Sequence, residues 1–323
     1  MSGSRFPRLI GDIGGTNARF AWQNAPNASL FDIASYACAD HGSLLNAIQH
    51  YLKSRGKTHP SACALGIANP VLGDRVQMTN HHWSFSISDL QHALGVEQLV
   101  VINDFTALAL SLPALGREDL CQIGGGESVP NAPLAVLGPG TGLGMSGLLP
   151  TAPGMYAPIN SEGGHGSLAA CNDQEAAVVN FLQIRFGHAS AERALSGPGL
   201  VNLYEAACCL SNRKAQALGP SDIIAAAKSK TNSDCVTALD LFCSFLGGVA
   251  GNFGLMLGAR GGVYIGGGIA PRLIAELQNS SFRERFESKG RFRHYLEPIP
   301  TFVISSSVSP ALIGAGRALD LMV

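Results

Sequence analysis

An acidic side chain that could perform catalysis stands at the end of an apolar strand. The stretch Glu97–Leu112 reads Glu-Gln-Leu-Val-Val-Ile-Asn-Asp-Phe-Thr-Ala-Leu-Ala-Leu-Ser-Leu, so a strand pattern leads into Asn103 and Asp104 and then into a helix pattern. Open α/β sheets bind their ligands at the ends of strands. We expect a buried carboxylate in that position either to be a liability to the fold or to act on a ligand. Asp104 is therefore our first candidate for a catalytic group.

Three glycine-rich segments are suited to a bound nucleotide. They read Gly-Asp-Ile-Gly-Gly-Thr-Asn (Gly11–Asn17), Gly-Pro-Gly-Thr-Gly-Leu-Gly (Gly138–Gly144) and Gly-Gly-Gly-Ile-Ala (Gly266–Ala270), each after a β-rich run. Glycine leaves backbone N–H groups free to face anionic oxygens. The second segment fits the dinucleotide pattern only loosely, and no Gly-Lys-Ser/Thr follows it, which disfavours a P-loop kinase. Together the segments predict two phosphate loops and one nucleoside surface, as ATP would require.

Within these segments, individual residues have distinct expected roles. Three consecutive glycines offer a flat surface to a ring such as adenine, and Thr16 adds a side-chain donor. Asp12 is expected to hold Mg²⁺ through water, because this ion keeps much of its hydration shell. An ordinary hairpin turn is the alternative for the first segment, and close helix packing could explain one glycine of the third. The predicted nucleotide contacts are Gly11, Asp12, Ile13, Gly14, Gly15, Thr16, Asn17, Gly138, Gly140, Thr141, Gly142, Gly266, Gly267 and Gly268.

A second set of side chains is suited to a sugar. Carboxylates, amides and imidazoles can pair with its hydroxyl groups, and each buried hydroxyl left unmatched costs about 1–3 kcal/mol. Glu162 and His165 flank a Gly-Gly bend, so both could point to one ligand, although they could also form a structural pair. Glu192 could equally be a charge on a helix surface. The candidate sugar ligands are Asn80, Asn103, Asp104, Glu162, His165 and Glu192, whereas His81 and His82 are expected to be surface or interface residues.

Composition limits the class of protein. The chain has 323 residues, 46% hydrophobic and 14% charged, with a net charge of −1, which is typical of a globular α/β protein with two cores. No basic stripe indicates a nucleic-acid surface, and Arg283–Arg293, mixed with acidic residues, is expected to be a solvated helix surface. The sequence has no uninterrupted apolar run of about 20 residues, which argues against a membrane span. Met1–Arg8 lacks a secretion signal, and the eight cysteines form no C-x-x-C pair, so we expect reduced thiols in the cytoplasm.

Local patterns predict the order of the elements. We expect a first lobe of roughly 1–113 completed by a C-terminal segment, 305–323, and a second lobe of 114–304. Ser88 is the expected N-cap of a helix at Asp89–Leu94. The other expected elements are a hairpin within Arg8–Trp22, a helix at 43–55, strands at Cys63–Ala68, Leu99–Ile102, Leu134–Leu137 and Gly262–Ile265, a mostly helical stretch at 174–260, and a closing helix within Ser309–Leu321.

The order of these motifs resembles the bacterial glucokinases. The matching segments read Gly-Asp-Ile-Gly-Gly-Thr-Asn, Ile-Asn-Asp-Phe, Gly-Pro-Gly-Thr-Gly-Leu-Gly, Ser-Glu-Gly-Gly-His, Ser-Gly-Pro-Gly-Leu-Val-Asn-Leu-Tyr and Tyr-Ile-Gly-Gly-Gly-Ile, and they extend from Leu9 to about Ala318. The resemblance implies the actin-like ATPase (ribonuclease H-like) fold, two lobes with the active site in the cleft between them, and a homodimer. The first lobe would then be a small α/β lobe with the first phosphate loop and the catalytic aspartate.

The resemblance also implies roles for single residues. Asp104 matches the catalytic base of the family, and Asn103 matches its sugar-contacting neighbour. The remaining sugar ligands match Glu162, His165 and Glu192, and the ATP segment matches Gly11–Thr16. The related repressor-like sugar kinases carry zinc on a histidine and a cysteine-rich run, but here only Cys171 follows His165 closely, and no DNA-binding helix pair precedes the first hairpin. Neither zinc nor transcriptional control is therefore expected.

The expected function is ATP- and Mg²⁺-dependent phosphorylation of glucose at its 6-hydroxyl, which feeds glycolysis. The expected partner is a small-molecule sugar, with no nucleic acid and no membrane. A kinase for another hexose, such as mannose or fructose, is an alternative, because the same site could accept it. A non-catalytic sugar sensor is a further alternative, against which the presence of Asp104 argues.

Overall fold

The structure, a computed structural model, describes residues 6–26, 28–79, 81–306 and 308–321. The chain forms two compact units. The first comprises the residues up to Gly116 together with those from Ser306 onward, and the second comprises Arg117–Ser305. We expected boundaries at residues 113 and 304, and the functional division into lobes stays a prediction.

Both units of the described chain contain strands and helices. The strands are β1 (Arg8–Ile13), β2 (Asn17–Gln23), β3 (Phe31–Ala37), β4 (Ala62–Ile67), β5 (Arg75–Gln77), β6 (Ser84–Ser86), β7 (Gln98–Asn103), β8 (Leu120–Gly124), β9 (Leu134–Pro139), β10 (Leu143–Ala152), β11 (Met155–Ser161), β12 (Gly262–Ile265) and β13 (Thr301–Ile304). The α-helices are α1 (Leu44–Ser54), α2 (Ile87–Leu94), α3 (Asp104–Ser111), α4 (Asp173–Phe186), α5 (Gly197–Leu210), α6 (Pro220–Lys228), α7 (Ser233–Leu257), α8 (Ile274–Asn279), α9 (Phe282–Glu287), α10 (Arg293–Leu296) and α11 (Pro310–Ala318).

In the first unit, three parallel strands end side by side. Its sheet has the order β3-β2-β1-β4-β7, with β1, β4 and β7 parallel and the β1–β2–β3 meander antiparallel. Ile13 pairs with Ile67, and Ile67 pairs with Asn103. All six residues of β4 are buried, as expected of a parallel strand covered on both faces. The segments that follow these three strands therefore leave the sheet at one edge.

Glycines allow α3 to approach this sheet closely and α11 to approach α3 closely. A Cβ atom on Gly66 of β4 would lie 3.1 Å from the Cβ of Ala107 in α3. A Cβ atom on Gly314 of α11 would lie only 1.6 Å from the carbonyl oxygen of Ala107. The expected closing helix is thus confirmed as α11, and it packs backbone to backbone against α3.

The second unit is built on a six-stranded sheet with the order β11-β10-β9-β12-β13-β8. Strands β9, β12 and β13 are parallel, whereas β8, β10 and β11 are antiparallel to their neighbours. The predicted helical stretch contains α4 to α7, which confirms that expectation. Among the described helices, α7 is long and apolar enough to cross a membrane by length and composition, but 61% of its most apolar window is buried. Phe242 and Leu246 of α7 are fully buried, as in a core helix.

Two local expectations are wrong. The helix α2 begins at Ile87 rather than Asp89, because Ser86 is its N-cap and its Oγ accepts the backbone N–H of Asp89 at 3.1 Å. The expected cap, Ser88, instead donates its own backbone N–H to Oδ1 of Asp74 at 2.8 Å.

The basic stretch Arg283–Arg293 is also not a purely solvated surface. The side chain of Arg283 is 18% exposed and donates to the carbonyl oxygens of Ile299 and Leu296 at 2.9 and 3.1 Å. Burial lowers the pKa of Arg283, and the neighbouring Glu287 carboxylate opposes this effect. The fully buried Phe286 explains the difference, because it turns this side of α9 toward the core.

The close approach of α11 to α3 gives a prediction about stability. Gly314→Ala should lower the free energy of unfolding by about 1–3 kcal/mol, because its Cβ would overlap the Ala107 carbonyl and force the helices apart. Gly316→Ala is the matched control on the same helix, since its Cβ would meet Ile10 at an ordinary 3.6 Å. That change should alter the free energy by no more than about 1 kcal/mol. Urea unfolding measures both, and equal stability of the two variants would contradict this packing.

Candidate active site

Asp104 is the first residue of α3 and directly follows β7. Asn103 caps the helix, because its Oδ1 accepts the backbone N–H groups of Phe105 at 2.8 Å and of Thr106 at 3.2 Å. Such a cap satisfies donors that the first helical turn leaves unpaired, and this explains why the strand gives way to a helix here. Oδ1 of Asp104 also accepts the Phe105 N–H, at 2.9 Å. The half-buried carboxylate is thus fixed in the first helical turn, where negative charge is favoured.

Asn69 is a polar residue whose contribution the sequence analysis missed. It follows β4, and its carbonyl oxygen accepts Nδ2 of Asn103 at 3.4 Å. Its Oδ1 accepts the backbone N–H of Thr79 at 3.0 Å and also the Thr79 hydroxyl. Asn69 therefore joins the segment before Asn80 to the cap of α3. The only signal in the sequence was an Asn-Pro pair, which predicts the end of a strand but not a bridge. Asn80 itself lies outside the described residues, so its sugar contact stays a prediction.

The two histidines that follow differ in their environment. His82 is exposed, as expected, whereas His81 is partly buried and its ring lies edge-on to Trp83 with centroids 4.8 Å apart. The Nδ1 atom of His81 is buried and has no hydrogen-bond partner among the described residues. Burial lowers the pKa of His81, and the neighbouring His82 lowers it further. His81 is therefore better described as a neutral aromatic contact than as a charged ligand.

The first glycine segment forms the turn between β1 and β2, which confirms the predicted hairpin. The N–H of Gly14 donates to the carbonyl of Asn17 at 2.9 Å. The carbonyl of Thr16 accepts the N–H of Cys38 at 2.8 Å, so the residue directly after β3 supports the turn. The assignment of this turn to phosphate binding stays a prediction.

Asp12 lies beside this turn, opposite Arg19 in the β1–β2 ladder. Its Oδ2 accepts the hydroxyl of Ser309 at 2.8 Å and an Nη of Arg19 at 3.2 Å. These two donors fix the orientation of the carboxylate. Nucleotide-bound Mg²⁺ is usually held by one or two carboxylates, with water and phosphate oxygens completing the shell. A single fixed carboxylate beside a glycine turn therefore fits the expected ion.

In the second unit, His165 lies between two carboxylates. Its Nε2 is 3.9 Å from Oε2 of Glu162, and its Nδ1 is 4.0 Å from Oε1 of Glu192. Both distances are too long for direct hydrogen bonds. The side chains of Glu162, His165 and Glu192 are 57%, 62% and 30% exposed. The structure thus brings these three predicted ligands together, but not as a closed structural pair.

Glu192 is not a charge on a helix surface. It lies in a short 3₁₀ turn, Ala191–Arg193, and its Oε2 accepts the backbone N–H of Leu143 at 2.9 Å. A Cβ atom on Gly142 would lie 2.4 Å from the same oxygen. The second glycine segment therefore holds Glu192 directly, and only glycine at position 142 leaves room for it in this position.

The segments that carry His165 and Glu192 are bonded to each other. The N–H of Leu168 donates to the carbonyl of Ala189, and the N–H of Ala191 donates to the carbonyl of Gly166, both at 2.8 Å. The Gly-Gly bend requires glycine at position 164 for a steric reason, because a Cβ atom there would lie 2.0 Å from the carbonyl oxygen of Leu143. The start of β10 thus supports both sides of the cluster.

The second and third glycine segments lie against each other. The second is the turn between β9 and β10, and the third follows β12, the parallel neighbour of β9. A Cβ atom on Gly138 would lie 2.6 Å from the carbonyl carbon of Gly266, and one on Gly267 would lie 2.4 Å from the carbonyl oxygen of Pro139. Close backbone packing therefore explains Gly138 and Gly267. A Cβ atom on Gly140 or Gly268 would meet nothing within 4 Å, so packing does not require glycine there.

Comparisons with known proteins agree on one family. The Glucokinase family model matches residues 9–322. The glucokinase of Aromatoleum aromaticum is 53% identical over 98% of this chain and 95% of its own length. The glucokinase of Chromobacterium violaceum is 49% identical over 97% of this chain and 89% of its own length.

Solved structures agree as well. The crystal structure of a glucokinase from an Antarctic psychrotroph has a TM-score of 0.89 and 38% identity, over 98% of this chain and 99% of that one. A ROK family glucokinase from Streptomyces griseus, in complex with glucose and AMPPNP, has a TM-score of 0.65 and 16% identity, over 97% of this chain and 99% of that one. The second likeness bears on the fold alone, which is the two-lobed actin-like α/β fold. With the family model and the close relatives each matching nearly its full length, this chain belongs to the glucokinase family.

Proposed function

We propose that this chain transfers the γ-phosphoryl group of ATP to the 6-hydroxyl of glucose. One observation supports the proposal most strongly. The Gly140–Leu143 turn, predicted to face the donor phosphates, also holds Glu192 through the N–H of Leu143. A phosphotransferase must hold its donor and acceptor side by side. A single turn that contacts both the donor phosphates and a ligand of the acceptor meets this requirement, and a simple binding protein has no need of it.

Asp104 is the proposed general base. Phosphoryl transfer passes through a loose, highly charged transition state, so the enzyme contributes mainly positioning and electrostatic stabilisation. The carboxylate of Asp104 would accept the proton of the 6-hydroxyl as its oxygen attacks, a role worth about 10²–10⁴-fold in rate. Asn103 holds Asp104 in place through the helix cap and, as proposed, contacts the sugar beside it.

The other proposed sugar ligands are Glu162, His165, Glu192 and Asn80. The first three are close together and partly exposed, so their oxygens and ring nitrogens are available to ring hydroxyls. His165 is 3.9 and 4.0 Å from the two carboxylates, so a hydroxyl group beside the pair could hydrogen-bond to the imidazole and to a carboxylate together. Discrimination among hexoses would follow, because a hydroxyl that points the wrong way leaves one of these groups unpaired.

The three glycine segments are the proposed nucleotide site. The open space around Gly140 and Gly268 favours direct contact with the ligand there. Mg²⁺, when bound, neutralises charge that develops on the phosphate oxygens. Asp12 would hold it through water, with its carboxylate oriented by Ser309 and Arg19.

A cytoplasmic homodimer is part of the same proposal, and it rests on the family resemblance. All eight cysteines are free in the structure, which fits a reducing compartment. The composition supports a small-molecule substrate rather than nucleic acid or a membrane as partner.

A sugar panel tests the proposed function. Formation of the sugar phosphate should be measured with glucose, mannose and fructose, and with ATP, ADP or polyphosphate as phosphoryl donor. We expect glucose with ATP to give the highest kcat/KM. A higher value for another hexose would make this a kinase for that sugar, and no sugar phosphate from any of the sugars would support a sensor instead.

The role of Asp104 gives a second prediction. Asp104→Ala should lower kcat by about 10²–10⁴-fold while the Kd for glucose, measured by calorimetry, changes little, because the base acts on the proton in the transition state. Asp89→Ala is the matched control, since Asp89 is also an acidic residue in the first turn of a helix of the same unit. Its kcat should equal that of the unchanged protein. Near-normal turnover of Asp104→Ala would refute the assignment.

Substitutions at two glycines of the β9–β10 turn should separate effects on ATP binding from effects on glucose binding. Gly142→Ala should raise the KM for glucose about tenfold, because the new Cβ displaces the Glu192 carboxylate. Gly140→Ala places its methyl group in open space, so it should raise the KM for ATP and leave the KM for glucose within about twofold. Steady-state kinetics with each substrate varied measures both. Equal effects of the two changes on the KM for glucose would contradict the placement of Glu192.

A further inference from the structure

Glu175 is a buried carboxylate that the proposed reaction does not use. It lies in the first turn of α4, shortly after the segment that carries His165, and is 1% exposed. Its Oε2 accepts the backbone N–H of Cys171 at 2.8 Å and an Nη of Arg285 at 2.9 Å. Its Oε1 accepts the hydroxyl of Ser244 at 2.7 Å. Nε of Arg285 also donates to the Ser244 hydroxyl, at 3.1 Å, so the cluster is closed.

A helix cap alone does not explain this arrangement. Asn172 caps α4 by accepting the N–H of Glu175 at 2.8 Å, and a glutamate at this position is a common part of such caps. Capping does not require burial, and a buried carboxylate is costly unless it is paired and hydrogen-bonded. Here the partners are Ser244 of α7 and Arg285 of α9. The cluster therefore ties the main chain at Cys171 to two other helices.

The segment 165–172, which the bond from Cys171 to Glu175 holds, is otherwise largely exposed. Of residues 165–172, only Leu168 is buried. Hydrogen bonds to Ala189 and Ala191 hold the first half of the segment, as described above. The bond from Cys171 to Glu175 holds the second half. Exposed segments with few buried contacts open readily, so an anchor at this end limits their motion.

We propose that Glu175 is a positioning residue for sugar binding: through the N–H of Cys171 it holds the 165–172 segment, and thereby His165, in place. Ser244 and Arg285 complete the anchor, because together they fix both carboxylate oxygens of Glu175. The inference rests on the proposed function, since it takes His165 as a ligand of the sugar.

Removing the charge of Glu175 tests the anchor. Glu175→Gln should raise the KM for glucose about tenfold, with kcat within about threefold of the unchanged protein, because misplaced ligands weaken binding more than chemistry. Amide hydrogen exchange in residues 165–172 should become faster. Glu284→Gln is the matched control, because it breaks an exposed ion pair between Glu284 of α9 and Arg293. The control should change neither the KM nor the exchange.

A second variant covers the case in which Glu175→Gln fails to fold. Glu175→Asp keeps the charge that Arg285 needs but is one methylene shorter, so its carboxylate should withdraw from the N–H of Cys171. It should show the same rise in the KM for glucose and the same faster exchange. A normal KM in a folded Glu175 variant, with or without faster exchange, would overturn the inference.

A double-mutant cycle with His165 separates positioning from general destabilisation. In a His165→Ala background, Glu175→Gln should change the KM for glucose by less than about twofold, because the group it positions is already gone. A full additional effect would overturn the inference. If His165→Ala alone leaves the KM unchanged, the sugar assignment of His165 fails. If His165→Ala raises the KM and Glu175→Gln does not, only the anchor fails.

Discussion

The parallel pairing of β1, β4 and β7 is the constraint on which the positions of Asp104 and the neighbouring candidate site residues of the first unit depend. It sets Ile13, Ile67 and Asn103 side by side, so the chain after each strand leaves at one edge of the sheet. That edge holds the glycine turn after β1, the Asn69 bridge after β4 and the Asn103 cap after β7. Asp104 takes its place only because α3 can lie close to β4 and α11, which the glycines at 66 and 314 permit. A change far from the carboxylate can therefore displace it.

In the second unit, parallel pairing of strands also brings candidate site segments together. The parallel pair β9–β12 brings two glycine segments into backbone contact, and the turn that leaves β9 leads directly to Leu143. The main chain of Leu143 then serves two functions, because its N–H holds Glu192 and its carbonyl lies against the Gly-Gly bend before His165. Donor-binding and acceptor-binding groups would thus share one short piece of chain. The buried Glu175 cluster adds support from the opposite end of the His165 segment.

Local sequence patterns predicted the parts of the site that depend on neighbouring residues. The strand end at Asn103 and the β1–β2 hairpin were visible because apolar runs and turn glycines act over a few positions. The bridge from Asn69 to Thr79, the contact of Gly142 with Glu192 and the bond from Arg285 to Glu175 were not visible. Each joins residues far apart in the chain, and no local pattern specifies which distant group will lie there. The roles of Glu162, His165 and Glu192 came from family resemblance, and the structure adds that they cluster.

Asp104 is the residue proposed to take the proton of the 6-hydroxyl of glucose. A crystal structure of the protein with glucose and a non-hydrolysable ATP analogue measures this most directly. A carboxylate oxygen of Asp104 should lie within about 3 Å of the 6-hydroxyl oxygen, the reach of a general base. A 6-hydroxyl bonded to another side chain, with Asp104 well outside hydrogen-bond distance, would contradict it.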